Sequence, residues 1–246
     1  MKKALVSFGT GDAAKTLAVA LPTFHHYASR HDYDLIINAP TGDRPASWLK
    51  VPLLRDILKR YDFALWIDAD AIIVDGTVDI EAVVPPEAFQ AFVVMDCGAG
   101  ASPCLGVWAL RAGDRTERFL DEVWAREQFI GHKWWEQAAV MDMMGWTTEP
   151  PLIKKQTSSW DDGSFVLPDE WDVIPKFAGQ YAPARIRHYG ADTTRRRLIE
   201  MRTDLAEVQG KRARYWAGIG ERRARPLYRR QASALASLRR VALANE

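Results

Sequence analysis

Only two cysteines, Cys97 and Cys104, occur in 246 residues. That is too few for a disulfide framework, and no zinc-ligand spacing surrounds them. Nowhere do about 18 apolar residues run together, so no membrane span is read. The basic opening Met1-Lys2-Lys3 leads into an apolar run at 4–8 that stops at Gly9-Thr10-Gly11, too short for the core of a signal peptide. These absences fit a reducing, cytoplasmic setting. Glycine-rich phosphate loops of the GxGxxG or P-loop kind are also missing, and there is no Ser-His-Asp order to suggest a nucleophilic triad.

The composition is that of a folded globular chain, 48% hydrophobic and 26% charged, long enough for one sizeable core or one core with an appendage. Ten tryptophans suit cores as well as sugar-binding faces. The net charge of +1 hides an asymmetry. From Arg195 onward there are 14 Lys and Arg against 5 Asp and Glu, so a basic tail follows an acidic body.

Apolar runs at 4–8, 34–38, 63–67, 71–74, 89–95 and 107–110 read as strands. Helical spacing is found at 13–30, where Pro22 is expected to kink or divide the helix, and at 47–60, with Ser47 as a cap. Further helices are expected at 114–126 and 134–144. The order strand, helix, strand, helix, strand up to residue 67 predicts an α/β sheet with parallel strands, whose ligands bind beyond the strands' carboxyl ends. Residues 147–183 read as loops over one end of the sheet. Residues 185–187 read as a short strand, and 194 onward as an Arg-rich helical appendage.

Asp68 and Asp70 follow the most continuous apolar run, 63–67. In an extended chain, positions i and i+2 face the same side, so both carboxylates point one way and Ala69 the other. Two like charges so placed call for a cation between them. A hard divalent ion supplies it, keeping open positions for phosphate oxygens. The plainer alternative is a solvated acidic loop, because Asp-x-Asp alone is a weak signal.

The surroundings narrow the choice. Residues 27–35 (YASRHDYDL), Trp48-Leu49-Lys50 and residues 61–73 (YDFALWIDADAII) resemble glycosyltransferase family 34 as an ordered set. Gly106 through Arg111, Trp135-Glu136-Gln137 and His188-Tyr189-Gly190 extend the likeness over about 4–190. The resemblance implies a GT-A (Rossmann-like) fold, a UDP- or GDP-sugar donor, Mn²⁺ or Mg²⁺, and transfer with retention of anomeric configuration. It places Asp68, Asp70 and His188 on the metal, with Asp68 also by the nucleotide; Ala69, by its small size, leaves room for that bulky ligand. It sets Lys50 near the donor and Glu136 and Gln137 at the transferred sugar. One departure stands out: the family's Asn-x-Gly is Cys104-Leu105-Gly106 here.

Other candidates rest on the residues alone. Phe8, Gly9 and Thr10 end the first strand, where a small turn lets a nucleotide approach the backbone; a plain tight turn reads equally well. His188 taken alone is as compatible with a structural histidine, and Lys50 with an exposed helix residue. Trp160 beside the turn at Asp161-Asp162-Gly163 is a candidate acceptor platform. His25, His26 and His31 read as structural or solvent-facing. The expected organisation is a catalytic domain over 1–193 and a basic helical appendage over 194–246. That appendage, with Arg195, Arg196, Arg197, Arg202, Arg212 and Arg214 and then Arg222, Arg223, Arg225, Arg229, Arg230, Arg239 and Arg240, has three readings. It is a solvated face packed on the acidic body, a peripheral dock on anionic lipid serving a lipid-linked acceptor, or, last, a nucleic-acid contact. The acceptor is otherwise a saccharide or small molecule. Rival readings of the whole are a non-catalytic metal- and polyanion-binding protein and a sugar-phosphate nucleotidyltransferase.

Overall fold

The structure, a computed structural model, describes residues 1–179, 182–190 and 192–219, with side chains to 210. Along the chain run β1 (Lys3–Ser7), α1 (Asp12–His31), β2 (Tyr33–Ile37), α2 (Lys50–Leu58), β3 (Phe63–Ile67), β4 (Ala71–Ile73) and β5 (Gln90–Asp96). Then follow β6 (Ala101–Arg111), α3 (Asp114–Trp124), α4 (Trp135–Met143), β7 (Ser164–Val166), α5 (Pro175–Ala178), β8 (Ile186–His188) and α6 (Thr194–Ile219).

Six strands form one sheet in the order β2-β1-β3-β6-β5-β7, and β4 pairs with β8 in a second, two-stranded sheet. β1 runs parallel to β2 and β3, and β5 parallel to β7, while β6 is antiparallel to β3 and β5. The α/β expectation with a mostly parallel sheet therefore holds. The antiparallel β6 has a use. It brings its own early residues, 104–106, to the carboxyl end of β3.

β3 is buried along its whole length because helices cover both faces of the sheet. Leu65 and Ile67 pack with Leu17, Leu21 and Phe24 of α1, whereas Ala64 and Trp66 pack with Leu54 of α2 and Phe119 of α3. The period-2 alternation of the strand makes that division.

Two local expectations are corrected. Pro22 does not break α1, which is continuous from Asp12 to His31. Leu21, Thr23 and Phe24 are buried around it, and the Thr23 hydroxyl donates to the Ala20 carbonyl at 2.7 Å while accepting from the Ile73 amide. Core packing on both sides outweighs the one missing backbone bond. Ser47 does not cap α2. It lies inside a 3₁₀ turn, Ala46–Leu49, that buries Trp48 and Leu49, so the α-helix starts at Lys50 instead.

The first turns of α6 join the body. Met201 belongs to the same buried cluster as α1, and buried Asp204 accepts from Arg187 at 2.8 Å and from the Tyr189 hydroxyl. Arg195 and Arg202 are exposed, and Arg196 pairs with Glu200. The side chains of Arg212 and Arg214, and all of Arg222, Arg223, Arg225, Arg229, Arg230, Arg239 and Arg240, lie outside the described residues. Removing the carboxylate at 204 strands a largely buried guanidinium. Asp204→Ala is expected to cost about 3 kcal/mol in urea unfolding; a change under about 0.5 kcal/mol would show that the α6 anchor is not structural.

Candidate active site

Asp68 and Asp70 sit at the step between the two sheets. The Asp68 amide donates to the Gly106 carbonyl at 2.8 Å, which continues the β3–β6 ladder one residue past the strand. On the other side Ala71 pairs with His188 across β4 and β8, and the Tyr189 amide donates to the Asp70 carbonyl at 2.9 Å. Both aspartates are thus fixed by backbone before any side chain acts.

Three cations converge on the pair. Lys50, the first residue of α2, is buried beneath Asp68. Its Nζ lies 3.2 Å from Asp68 Oδ1 and 2.8 Å from Glu136 Oε1, and 5.0 Å over the Trp66 ring. Burial alone favours its neutral form, but the Asp68 and Glu136 carboxylates outweigh burial and raise its pKa. The Trp66 indole N–H donates to the same Asp68 oxygen at 2.6 Å. Asp68 Oδ1 is therefore engaged by both groups, and Oδ2 lies toward His188.

His188, at the end of β8, faces both aspartates. Its Nε2 is 3.7 Å from Asp68 Oδ2 and 3.5 Å from Asp70 Oδ1. Its Nδ1 is 3.1 Å from Asp172 Oδ1, and Asp172 is itself buried and accepts from the Val107 amide. Burial opposes the imidazolium, yet Asp172 and Asp70 lift its pKa well above the ordinary value. Two glycines make room for the ring: a methyl at Gly106 would stand 2.3 Å from Nδ1, and one at Gly190 2.8 Å from Nε2.

Arg197, in the first turns of α6, places Nη1 3.0 Å from Asp70 Oδ2 and donates through Nη2 to the Gly190 carbonyl at 2.5 Å. Burial would raise the Asp70 carboxyl, but His188 and Arg197 together pull it down to about 2.

The donor set fits a hard divalent ion. One oxygen each of Asp68 and Asp70 and one nitrogen of His188 lie within 4.8 Å of one another, with an Asp172 carboxylate behind the imidazole to fix its orientation.

The residues read from the sequence divide. Asp68, Asp70, His188, Lys50 and Glu136 come together in one cluster, although Lys50 is an enclosed ion-pair centre rather than an exposed helix residue. Gln137 accepts from the Leu105 amide at 3.1 Å and so braces the 104–106 segment. Ala69 is buried in the apolar cluster that holds Leu65 and Ile67. Phe8 packs edge-on against Trp66 at 5.2 Å, Gly9 sits where a methyl would strike the Ala13 carbonyl at 2.4 Å, and exposed Thr10 opens α1. Of these three, Phe8 reaches the cluster through Trp66, which donates to Asp68. Trp160 packs on Phe89 and Phe119 in the core's margin. Of the first-helix histidines, His31 binds the Gly76 carbonyl at 2.9 Å.

Asp172 and Arg197 were not legible. Asp172 lies in an irregular stretch with no pattern around it, and Arg197 is one arginine among many in a basic run. The Gly106 and Gly190 positions were the available hints, since each borders the ring that Asp172 orients.

With this geometry in view, likeness to known proteins can be read on it. Residues 13–102 match the galactosyl transferase GMA12/MNN10 family. An uncharacterised α-1,2-galactosyltransferase of Schizosaccharomyces pombe is 28% identical over 80 residues, which is 28% of this chain and 21% of that relative. The match thus spans about a fifth of the relative's length. A glycosyltransferase involved in glycosylation of the major capsid of PBCV-1 superposes with TM-score 0.63 at 13% identity, over 82% of this chain and 100% of that one. The galactosyltransferase LgtC, solved with donor and acceptor sugar analogues, superposes with TM-score 0.51 at 8% identity, over 81% and 95% of the two chains. The fold is therefore that of the GT-A glycosyltransferases. The resemblance to family 34, carried by the Tyr27-to-Ile73 order of residues, is borne out by the match that covers it.

The central ion pairs predict a pH signature. Lys50→Met leaves Glu136 and Asp68 without their cation, at an expected cost of about 3–5 kcal/mol near pH 7. Burial raises the Glu136 carboxyl and Lys50 opposes that rise. In the variant the folded form therefore binds protons more readily than the unfolded chain, so stability recovers as pH falls toward the carboxylate range. Urea midpoints from pH 7 to pH 5 check this; a variant destabilised equally at both contradicts it.

Proposed function

We propose that the protein is a metal-dependent, retaining glycosyltransferase that moves a hexose or pentose from a UDP- or GDP-sugar to an acceptor hydroxyl. The observation that carries the proposal is the convergence of Asp68, Asp70 and His188 at the carboxyl end of β3, with Asp172 behind the histidine. The match of residues 13–102 to a galactosyl transferase family and the GT-A fold support the same reading.

Asp68, Asp70 and His188 would hold Mn²⁺ or Mg²⁺, which neutralises the charge that builds on the leaving diphosphate. The protein's own residues do the rest. Lys50 and Trp66 grip one oxygen of Asp68 and leave the other beside His188. Asp172 holds His188 so that Nε2 faces the aspartates. Gln137 accepts from the Leu105 amide and so sets the 104–106 segment beside His188, which in this reading faces the transferred sugar.

Glu136 has one oxygen on Lys50, and its second is buried without a partner. That enclosure removes it as a nucleophile for a double displacement and favours attack from the same face as departure. In that path the C1–O bond to the diphosphate breaks and the acceptor oxygen bonds to C1. The acceptor's proton passes to a leaving phosphate oxygen.

Among the described residues no helix is long and apolar enough to cross a membrane. Peripheral contact with anionic lipid near a lipid-linked acceptor remains part of the proposal, resting on the exposed Arg195 and Arg202.

Release of sugar from a panel of UDP- and GDP-sugars with Mn²⁺ tests the activity. Asp70→Asn is expected to lower the rate about a thousandfold, on the order of 4 kcal/mol of transition-state stabilisation. An Asp70→Asn protein with unchanged Mn²⁺-dependent turnover would refute the metal assignment. Asp172→Asn, which keeps the volume and loses the charge, is expected to weaken Mn²⁺ binding about 10–100-fold. Calorimetry showing wild-type affinity would make Asp172 a purely structural partner.

A further inference from the structure

Cys104 stands beside the histidine of the candidate site, and its thiol has no part in the roles above. The sulfur, one carboxylate oxygen of Asp172 and one ring nitrogen of His188 lie within 4.8 Å of one another, and all three residues are buried. Asp172 is held from two sides. One oxygen is 3.1 Å from His188 Nδ1, and the other accepts from the Val107 amide at 3.2 Å. Thiolate, imidazole and carboxylate are the ligand types that zinc takes, at about 2.0–2.3 Å. Around a tetrahedral ion such bonds set the ligand atoms about 3.3–3.6 Å apart, so the three side chains need to close in by no more than about 1.5 Å.

An ion also has a way in. A cavity of about 180 Å³ borders Asp172. Asp96 and Asp169, both exposed, stand on it, and Val93, Met95, Ile174 and Phe177 give it apolar walls. Val93 is the cross-strand partner of Cys104. The carboxylates along the cavity raise the local concentration of cations. The route comes in past Asp172, on the Nδ1 side of the ring, whereas Asp68 and Asp70 face Nε2.

We propose that Cys104, Asp172 and His188 form a second cation site, for a thiophilic divalent ion of the zinc type, and that an ion there opposes metal binding at Asp68 and Asp70 through the shared imidazole. The opposition rests on the metal reading above; the second site itself does not. A neutral imidazole has one lone pair and one N–H. A metal at the aspartates takes the Nε2 lone pair and leaves the proton on Nδ1, pointing to Asp172. Zinc at the second site takes the Nδ1 lone pair and leaves the proton on Nε2, pointing to the aspartates. The thiol proton goes to solvent as the sulfur binds. Both ions together need an imidazole stripped of both protons, so each weakens the other by the same factor. Mn²⁺ and Mg²⁺ favour oxygen ligands, which leaves the sulfur to the softer ion.

Cadmium reports on the site, because a cadmium–thiolate bond absorbs in the ultraviolet. The single-thiol protein Cys97→Ser is expected to show that band with Cd²⁺. Cys104→Ser, which keeps the size and loses the soft ligand, is expected to lack it, and Asp70→Asn to keep it. Mn²⁺ binding to the wild type, followed by the free-ion paramagnetic resonance signal, is expected to weaken about tenfold once Cd²⁺ or Zn²⁺ is in place, within the usual range of coupling. In Cys104→Ser that weakening is expected to be lost. Circular dichroism confirms that each variant is folded.

A Cys97→Ser protein without a thiolate band overturns the second site with no variant at Cys104 needed, and the glycosyltransferase reading then stands. Loss of the band in Asp70→Asn places the cadmium at the first site and overturns the second as well. A band with unaltered Mn²⁺ affinity, or a weakening that persists in Cys104→Ser, overturns the opposition. If the wild type binds no Mn²⁺ before cadmium is added, the metal reading falls and the opposition with it, while the thiolate band still decides the second site.

Discussion

Asp68 and Asp70 both approach the His188 imidazole from a turn where a strand buried on both faces runs out of core. Two carboxylates so close cannot both stay ionised at a half-buried sheet edge without compensating positive charge. Much of the site's architecture answers that requirement. Lys50 comes from the start of α2, His188 from the end of β8, and Arg197 from α6, so three separate parts of the chain converge on one dipeptide spacing. Each cation is in turn held by a second acceptor: Glu136, Asp172 and the Gly190 carbonyl.

This layered balance explains details that otherwise look incidental. β6 runs antiparallel so that residues 104–106 meet the end of β3. Gly106 has no side chain because the His188 ring lies against it. The register between β5 and β6 shifts at Phe92 and Val93, where the chain passes the site. Cys104, where an asparagine is expected from the family pattern, is enclosed beside Asp172 and His188, and burial pushes its thiol up to about 12. It is a neutral lining group there, so the polar contact an amide would offer is gone while the glycine that makes room for the ring is kept.

Much of this was legible because it is local. A continuous apolar run such as 63–67 predicts a strand covered on both sides, and β3 is one. The extended chain expected at 68–70 is instead a turn closed by the Ala71 amide on the Asp68 carbonyl at 3.2 Å, so the two carboxylates meet through His188 and not through strand alternation. The likeness to a known family then linked Lys50, Glu136 and His188 to that pair. What escaped was tertiary. Asp172 acts only because an irregular segment folds beneath His188, and nothing in its neighbours marks it. Arg197 is hidden in a basic run whose average character suggests a solvated face, and only the packing of Met201 and Asp204 turns it toward the aspartates. Pro22 misled for the converse reason. Its local rule holds, but buried residues on either side of it keep α1 continuous.

The account rests on a divalent ion being bound between Asp68, Asp70 and His188. A crystal grown with Mn²⁺ and UDP or GDP, measured at the manganese absorption edge, tests this most directly. The prediction is one anomalous peak at coordination distance, about 2.0–2.6 Å, from a carboxylate oxygen of each aspartate and from His188 Nε2. A fully occupied nucleotide with no anomalous peak among these three residues would contradict it.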